Sequence, residues 1–292
     1  MATARSDDTA ERLTFRGVDG LELAADRRGD PAAPPVLLLH GGGQTRYSWG
    51  GTATVLADAG WDAYTVDLRG HGESEWSDSA DYRLTTMARD TGLVVREIGS
   101  RPFLIGASLG GLASIMLTGE VEPGVARGVV LVDVVPDMER AGAQRIQAFM
   151  AERAITGFAS LEEVADAVAA YNPHRPRPAD LSGLRKNVRE RDGRFYWHWD
   201  PAFMGGVADM PPDEVLDADR LHRAVARTLE DVPLLLVRGR QSDLVSVEKA
   251  EEFAARFPDA EYVDVDGAGH MVAGDRNDAF TGAVLDFLAR HR

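Results

Sequence analysis

Apolar residues in this chain fall into short continuous runs, each cut off by a glycine-rich or polar turn. Val36-Leu-Leu-Leu39, Trp61 to Val66, Phe103 to Ile105, Val129 to Val135, Pro233 to Val237 and Tyr262 to Val265 are such runs. A strand without polar alternation suits a parallel sheet covered on both faces. Between the runs, 3.6-residue spacing predicts helices over 49–59, 84–98, 218–229, 247–257 and 277–290, with a further one opening near Leu112. Upstream, Leu13 to Ala25 alternates in two pieces around Gly17-Val-Asp-Gly20, which predicts a hairpin. The strand–helix rhythm stops at Pro136 and resumes near Ala218. Residues 137–217 carry two helical patterns, 141–155 and 161–170, then a Pro/Arg loop over 172–180. An aromatic cluster follows, Phe195-Tyr-Trp-His-Trp199, with Phe203 and Met204 just beyond. The expected fold is α/β, a mostly parallel central sheet flanked by helices. Its core would span 1–136 and 218–292, and 137–217 would be a helical insertion with no sheet of its own.

In open parallel sheets, sites form at the C-terminal ends of the strands. Taken in order, those ends carry His40-Gly-Gly-Gly43, Asp67-Leu-Arg-Gly-His-Gly-Glu-Ser74, Ser108, Asp133, Asp243 and His270. Ser108 sits in Gly106-Ala-Ser-Leu-Gly110, at a junction of strand and helix. A serine on so sharp a turn needs neighbours without side chains two residues away on either side. The helix beyond aims its first N–H groups at any anion formed beside the serine. Serine, acid and histidine then appear in the order that goes with this turn.

Composition narrows the partners. The 292 residues are 44% hydrophobic and 27% charged, as in a globular chain. A net charge of -15 argues against nucleic acid and anionic membrane surfaces as partners. With no cysteine, disulfides, a Cys nucleophile and Cys-ligated metals are excluded. Met1 to Arg12 lacks the apolar core of a secretory signal, and no run approaches membrane-spanning length, so a cytoplasmic protein is expected. Oligomeric state is open.

Five signatures together, His40 to Gly43, Asp67 to Ser74, Gly106 to Gly110, Gly239 to Asp243 and Gly267 to His270, resemble those of the α/β-hydrolase family over roughly residues 12–290. The resemblance implies a capped member, with 137–217 as a lid, and neither cofactor nor metal. Ser108 is then the nucleophile, His270 its base and Asp243 the acid that orients His270, with Asp133 as the rival acid one strand earlier. The resemblance gives the oxyanion hole to the backbone N–H groups of Gly42, with Gly41 as fallback, and Leu109. Trp197, Trp199, Phe203 and Met204 either hang over Ser108 and, with Gly41, line an apolar pocket, or form the insertion's own core. His40, His71, Asp67 and Arg69 are read as bracing for loops. The activity implied is hydrolysis of a small carboxylic ester through an acyl-enzyme. One alternative is carbon–carbon bond hydrolysis of a carboxylate-bearing substrate, for which Arg46, Arg175 or Arg177 would supply the cation, though all three read as surface residues. Others are a cofactor-free haloperoxidase or perhydrolase, and a ligand-binding receptor, whose usual mark is a broken triad.

Overall fold

The computed structural model of the chain describes residues 10–171, 177, 180–205, 218–266 and 278–292. A hairpin of β1 (Glu11–Arg16) and β2 (Glu22–Arg28) opens an eight-stranded sheet. The buried runs become β3 (Pro35–Leu39), β4 (Asp62–Val66), β5 (Phe103–Ala107) and β6 (Gly128–Val132). Two further strands, β7 (Val188–Arg191) and β8 (Arg194–Trp197), belong to the insertion, and after it come β9 (Leu234–Gly239) and β10 (Glu261–Val265). Spatial order is β1-β2-β4-β3-β5-β6-β9-β10. The six strands from β4 to β10 pair in parallel, and only the β1–β2 and β2–β4 pairings are antiparallel.

Both faces are covered, as the unbroken apolar strands require. On one side lie α2 (Leu84–Ile98), α3 (Leu109–Met116), α7 (Ala218–Asp231) and α8 (Val247–Arg256), packed through Met87, Leu112, Val225 and Phe253 among others. On the other, α1 (Gly50–Asp58) and α9 (Asp278–Arg290) bring Ala53, Leu56, Val284 and Phe287 against Val36, Leu38 and Ile105. Among the described residues no helix is long and apolar enough to cross a membrane.

Between β6 and α7 the insertion holds α4 (Arg140–Ala151), α5 (Leu161–Tyr171) and the short α6 (Ala202–Gly205). It also holds a two-stranded antiparallel sheet, β7 (Val188–Arg191) and β8 (Arg194–Trp197), with Val188 opposite Trp197. The expectation of a purely helical insertion is therefore corrected. The turn explains the hairpin: Asp192 and Gly193 have φ of 52° and 71°, the double positive pair of a two-residue turn whose twist matches antiparallel strands. Met150, Phe158, Val164, Ala165, Leu184, Trp197 and Trp199 form a core of the insertion's own.

Candidate active site

Ser108 joins β5 to α3 with φ 45° and ψ −112°, a conformation side chains rarely adopt. The glycines around it are enforced by contact. A Cβ on Gly106 would lie 2.4 Å from the Gly110 carbonyl carbon, and one on Gly110 would lie 2.4 Å from Leu39 O. The serine N–H donates to Val132 O at 3.1 Å, which ties the turn to the end of β6. Ser108 keeps partial exposure, as do Leu109 and the turn from Gly42 to Gln44, while Gly106, Gly110 and Gly41 are buried.

The turn after β3 lies against it. A Cβ on Gly41 would be 3.4 Å from Ser108 Cβ, and Gly110 N–H donates to His40 O at 3.1 Å. His40 is fully buried; its Nε2 accepts from Leu68 N–H at 2.9 Å and its Nδ1 lies 2.8 Å from Gly41 O, so the ring proton sits on Nδ1. Burial pushes His40 down to about 4, consistent with a neutral ring. Gly41 N–H donates to Gln44 Oε1 at 3.2 Å. The amides of Gly42 and Leu109 make no hydrogen bond among the described residues. The Leu109 side chain lies 4.0 Å from where a Gly42 Cβ would stand.

The two acids differ sharply. Asp133 follows β6 with φ 53° and is fully buried. Its Oδ1 accepts from Gly239 N–H at 3.2 Å and its Oδ2 from Ser242 Oγ at 2.6 Å. Asp243 follows β9, its side chain is 46% exposed, and its Oδ2 accepts from Arg145 of α4 at 2.6 Å. Ala107 pairs with Val132 across β5–β6, so Asp133 lies one strand from Ser108 and Asp243 two. His270, with Gly267 to Gly269 before it, lies outside the described residues, as does Arg175.

Trp197 and Trp199 stack at 4.9 Å within the insertion's core, and their indole N–H groups donate to Glu152 O and Met150 O. Phe203 is half-buried against His71 and Tyr82, and Met204 is half-buried against the insertion's core. Trp199 also reaches the glycine turn, 3.5 Å from where a Gly43 Cβ would stand.

The polar loop after β4 is braced as expected. Asp67 accepts from Arg46 N–H at 2.6 Å, from the Arg46 guanidinium and from Glu73 N–H. Arg69 grips Asp90 through two bonds of 2.5 and 2.9 Å. The surface reading of Arg46 is corrected: it is fully buried, held by Asp67, Asp26 and Glu73. Arg177, by contrast, is exposed and paired with Asp166. His71 is buried between the rings of His40 and His198, at 5.2 and 5.9 Å. No group of three or more His, Cys, Asp or Glu able to hold a metal occurs among the described residues.

Residues 34–276 match the family model for the alpha/beta hydrolase fold. The esterase Rv0045c of Mycobacterium tuberculosis is 32% identical over 88% of this chain and 83% of its own. The 3-hydroxybutyrate-oligomer hydrolase of Cupriavidus necator is 29% identical over 85% of this chain and 86% of its own. A crystal structure of an alpha/beta hydrolase from Novosphingobium aromaticivorans superposes with a TM-score of 0.79 at 26% identity, covering 96% of this chain and 98% of that one. Relatives of this kind support a hydrolase, and ester hydrolysis in general terms.

Proposed function

Since the chain belongs to the alpha/beta hydrolase fold family, we propose that it is a serine esterase acting on a small carboxylic ester, with the insertion as its cap. The observation that carries the reading is Ser108 itself, on a turn that only glycines at 106 and 110 allow, with the Gly41 backbone in contact. A free serine hydroxyl is a weak nucleophile and needs a base. In the proposal His270 takes the Ser108 proton as Oγ attacks the substrate carbonyl carbon. The oxygen becomes an anion, met by the N–H groups of Gly42 and Leu109. His270 then gives its proton to the leaving alkoxide, and the acyl-enzyme remains. Water attacks next, losing its proton to His270; Ser108 regains that proton and the acid leaves.

For the acid we propose Asp133 in place of Asp243. An acid that steadies an imidazolium works best buried, charged and held in one orientation. Asp133 is buried and held by amide and hydroxyl donors, and its strand neighbours that of Ser108. Asp243 is half-exposed and bonded to a guanidinium.

The carbon–carbon alternative is disfavoured because Arg46 is committed to buried carboxylates and Arg177 to Asp166. A cytoplasmic location stays part of the proposal, checked by fractionation of cells expressing the chain. The enzymatic test uses short-chain p-nitrophenyl esters and a fluorophosphonate probe. Turnover and labelling that vanish in Ser108→Ala are expected; a parent protein that neither turns over nor labels would sink the reading.

A further inference from the structure

The glycine turn that faces Ser108 is gripped from outside the core. His198, immediately after β8, is buried, and its ring spans two core loops. Its Nδ1 accepts from Gly72 N–H at 2.8 Å, which puts the proton on Nε2, and Nε2 lies 3.2 Å from Gly43 O. The insertion thus donates a hydrogen bond to the last residue of His40 to Gly43. The contact is not isolated. Asp200 N–H donates to Gly70 O at 2.8 Å, and Arg189 donates to Gly72 O at 2.8 Å. Met150 of α4 and the Trp199 ring close over Gly43, at 3.3 and 3.5 Å from where its Cβ would be.

Gly43 has φ 73°, a left-handed residue at the end of a run of three glycines. Such a run has many competing backbone states, and something must select one. Inside the core, His40 fixes the Gly41 carbonyl, and with it the peptide plane that carries the Gly42 N–H. Gln44 N–H closes the turn onto the same Gly41 carbonyl at 3.1 Å, and neither bond is made to the Gly43 carbonyl. At the far end the His198 ring meets the backbone. We infer that His198 is a positioning residue for the oxyanion turn: its Nε2–H holds Gly43 O so that Gly42 N–H keeps its aim. The cap is then part of the catalytic geometry as well as a cover. This inference rests on the esterase reading above, because only there does Gly42 donate to a developing anion.

Two replacements separate this from general packing. In His198→Gln the terminal amide can reach the place of Nε2 and keep a donor for Gly43 O. In His198→Asn the side-chain oxygen can reach the place of Nδ1, keeping the Gly72 acceptor and losing the Gly43 donor. A misaimed oxyanion donor lowers kcat and leaves ground-state binding alone, so Asn should lose roughly 10- to 100-fold in kcat with KM within about threefold. Gln should keep kcat within about fivefold of the parent, an allowance for imperfect reach. Binding of a trifluoromethyl ketone should weaken in Asn in step with kcat, since the analogue carries the oxyanion. Equal kcat in the two folded variants, or a loss confined to KM, overturns the inference. If neither variant folds, the parent decides: adduct formation with the ketone should shift the His198 Nε2–H resonance, and an unmoved resonance overturns the inference. A parent without esterase activity would refute the underlying reading instead, so the two failures are told apart.

Discussion

Lowering the pH from 6 to 5 should destabilise this protein through three buried rings. His40, His71 and His198 lie in a row with ring centroids 5.2 and 5.9 Å apart. Burial holds His40 to about 4 and His71 to about 3, and drives His198 well below the ordinary histidine value of roughly 6.5. For His71, Asp67 and Asp200 pull the other way, and desolvation outweighs them. In the native state His40 and His71 stay neutral down to pH 5, and burial drives His198 in the same direction. In the unfolded chain they take up protons below about 6.5. The unfolded state binds more protons in that window, so stability is whole above it and is lost as pH falls toward the native values. Each proton is worth up to about 1.4 kcal/mol per pH unit, and incomplete occupancy near pH 6 reduces this to about 1 kcal/mol per ring. His40 and His71 together should remove about 2 kcal/mol between pH 6 and 5, with His198 adding in the same direction, a large part of a typical total of roughly 5 to 15 kcal/mol. Urea midpoints at pH 7, 6 and 5 give the slope. In His71→Phe, which loses one bond to Arg69 O and one titrating ring, the slope should fall by about 1 kcal/mol per pH unit. A stability flat between pH 6 and 5, or a slope untouched by that substitution, would refute the reasoning.

Other outcomes follow from the same contacts. Asp133→Asn should lower kcat by about 10⁴-fold on a p-nitrophenyl ester, while Asp243→Asn stays within a few-fold. The reverse result would return the acid to Asp243, and because the Arg145 pair is half-exposed its loss should change stability by under about 1 kcal/mol. Gly110→Ala drives a methyl into Leu39 O and should lose about 3 kcal/mol or more by denaturant unfolding, along with fluorophosphonate labelling. Gly193→Ala, where a Cβ meets nothing within 4 Å, is strained only by its positive φ and should lose about 1 kcal/mol in the same measurement. Arg46→Met leaves Asp67 and Asp26 buried without their cation and should cost about 3 to 5 kcal/mol.

What can be read from the chain alone divides along a physical line. Features fixed by local sterics or local burial are legible. The Ser108 turn is one, through Gly106, which Gly110 and Gly111 demand from close by in the chain, although Gly110 itself is demanded by Leu39 of β3. The buried strands are another: a run such as Val36 to Leu39 has no polar side to offer water, so both its faces must be covered. The hairpin in the insertion is equally local, and a purely helical reading overlooks it, although Asp192-Gly193 between Arg191 and Arg194 is a strong turn signal. Its strands carry Arg, Glu and Arg at β7, and that polarity hides the alternation.

Features that depend on which distant groups meet are not legible. Nothing in the sequence near Arg46 announces burial, because the carboxylates that make it tolerable come from β2 and from the loop after β4. The aromatic cluster could wall a pocket or fill a core, and only partners decide: the Trp197 and Trp199 indoles turn their N–H groups onto α4 and the turn after it. The two acids pose the same problem in the site itself. Both follow buried strands and precede apolar residues, so spacing alone ranks them by family habit. Their partners separate them. An N–H and a hydroxyl are among the groups that hold the buried Asp133, whereas the half-exposed Asp243 carboxylate is shared with a guanidinium, which favours the former. Which carboxylate is placed to serve a histidine therefore depends on what the fold packs beside it. For Asp243 that group is Arg145 of α4, 98 residues earlier in the chain, and no neighbour of the acid in the sequence foretells it.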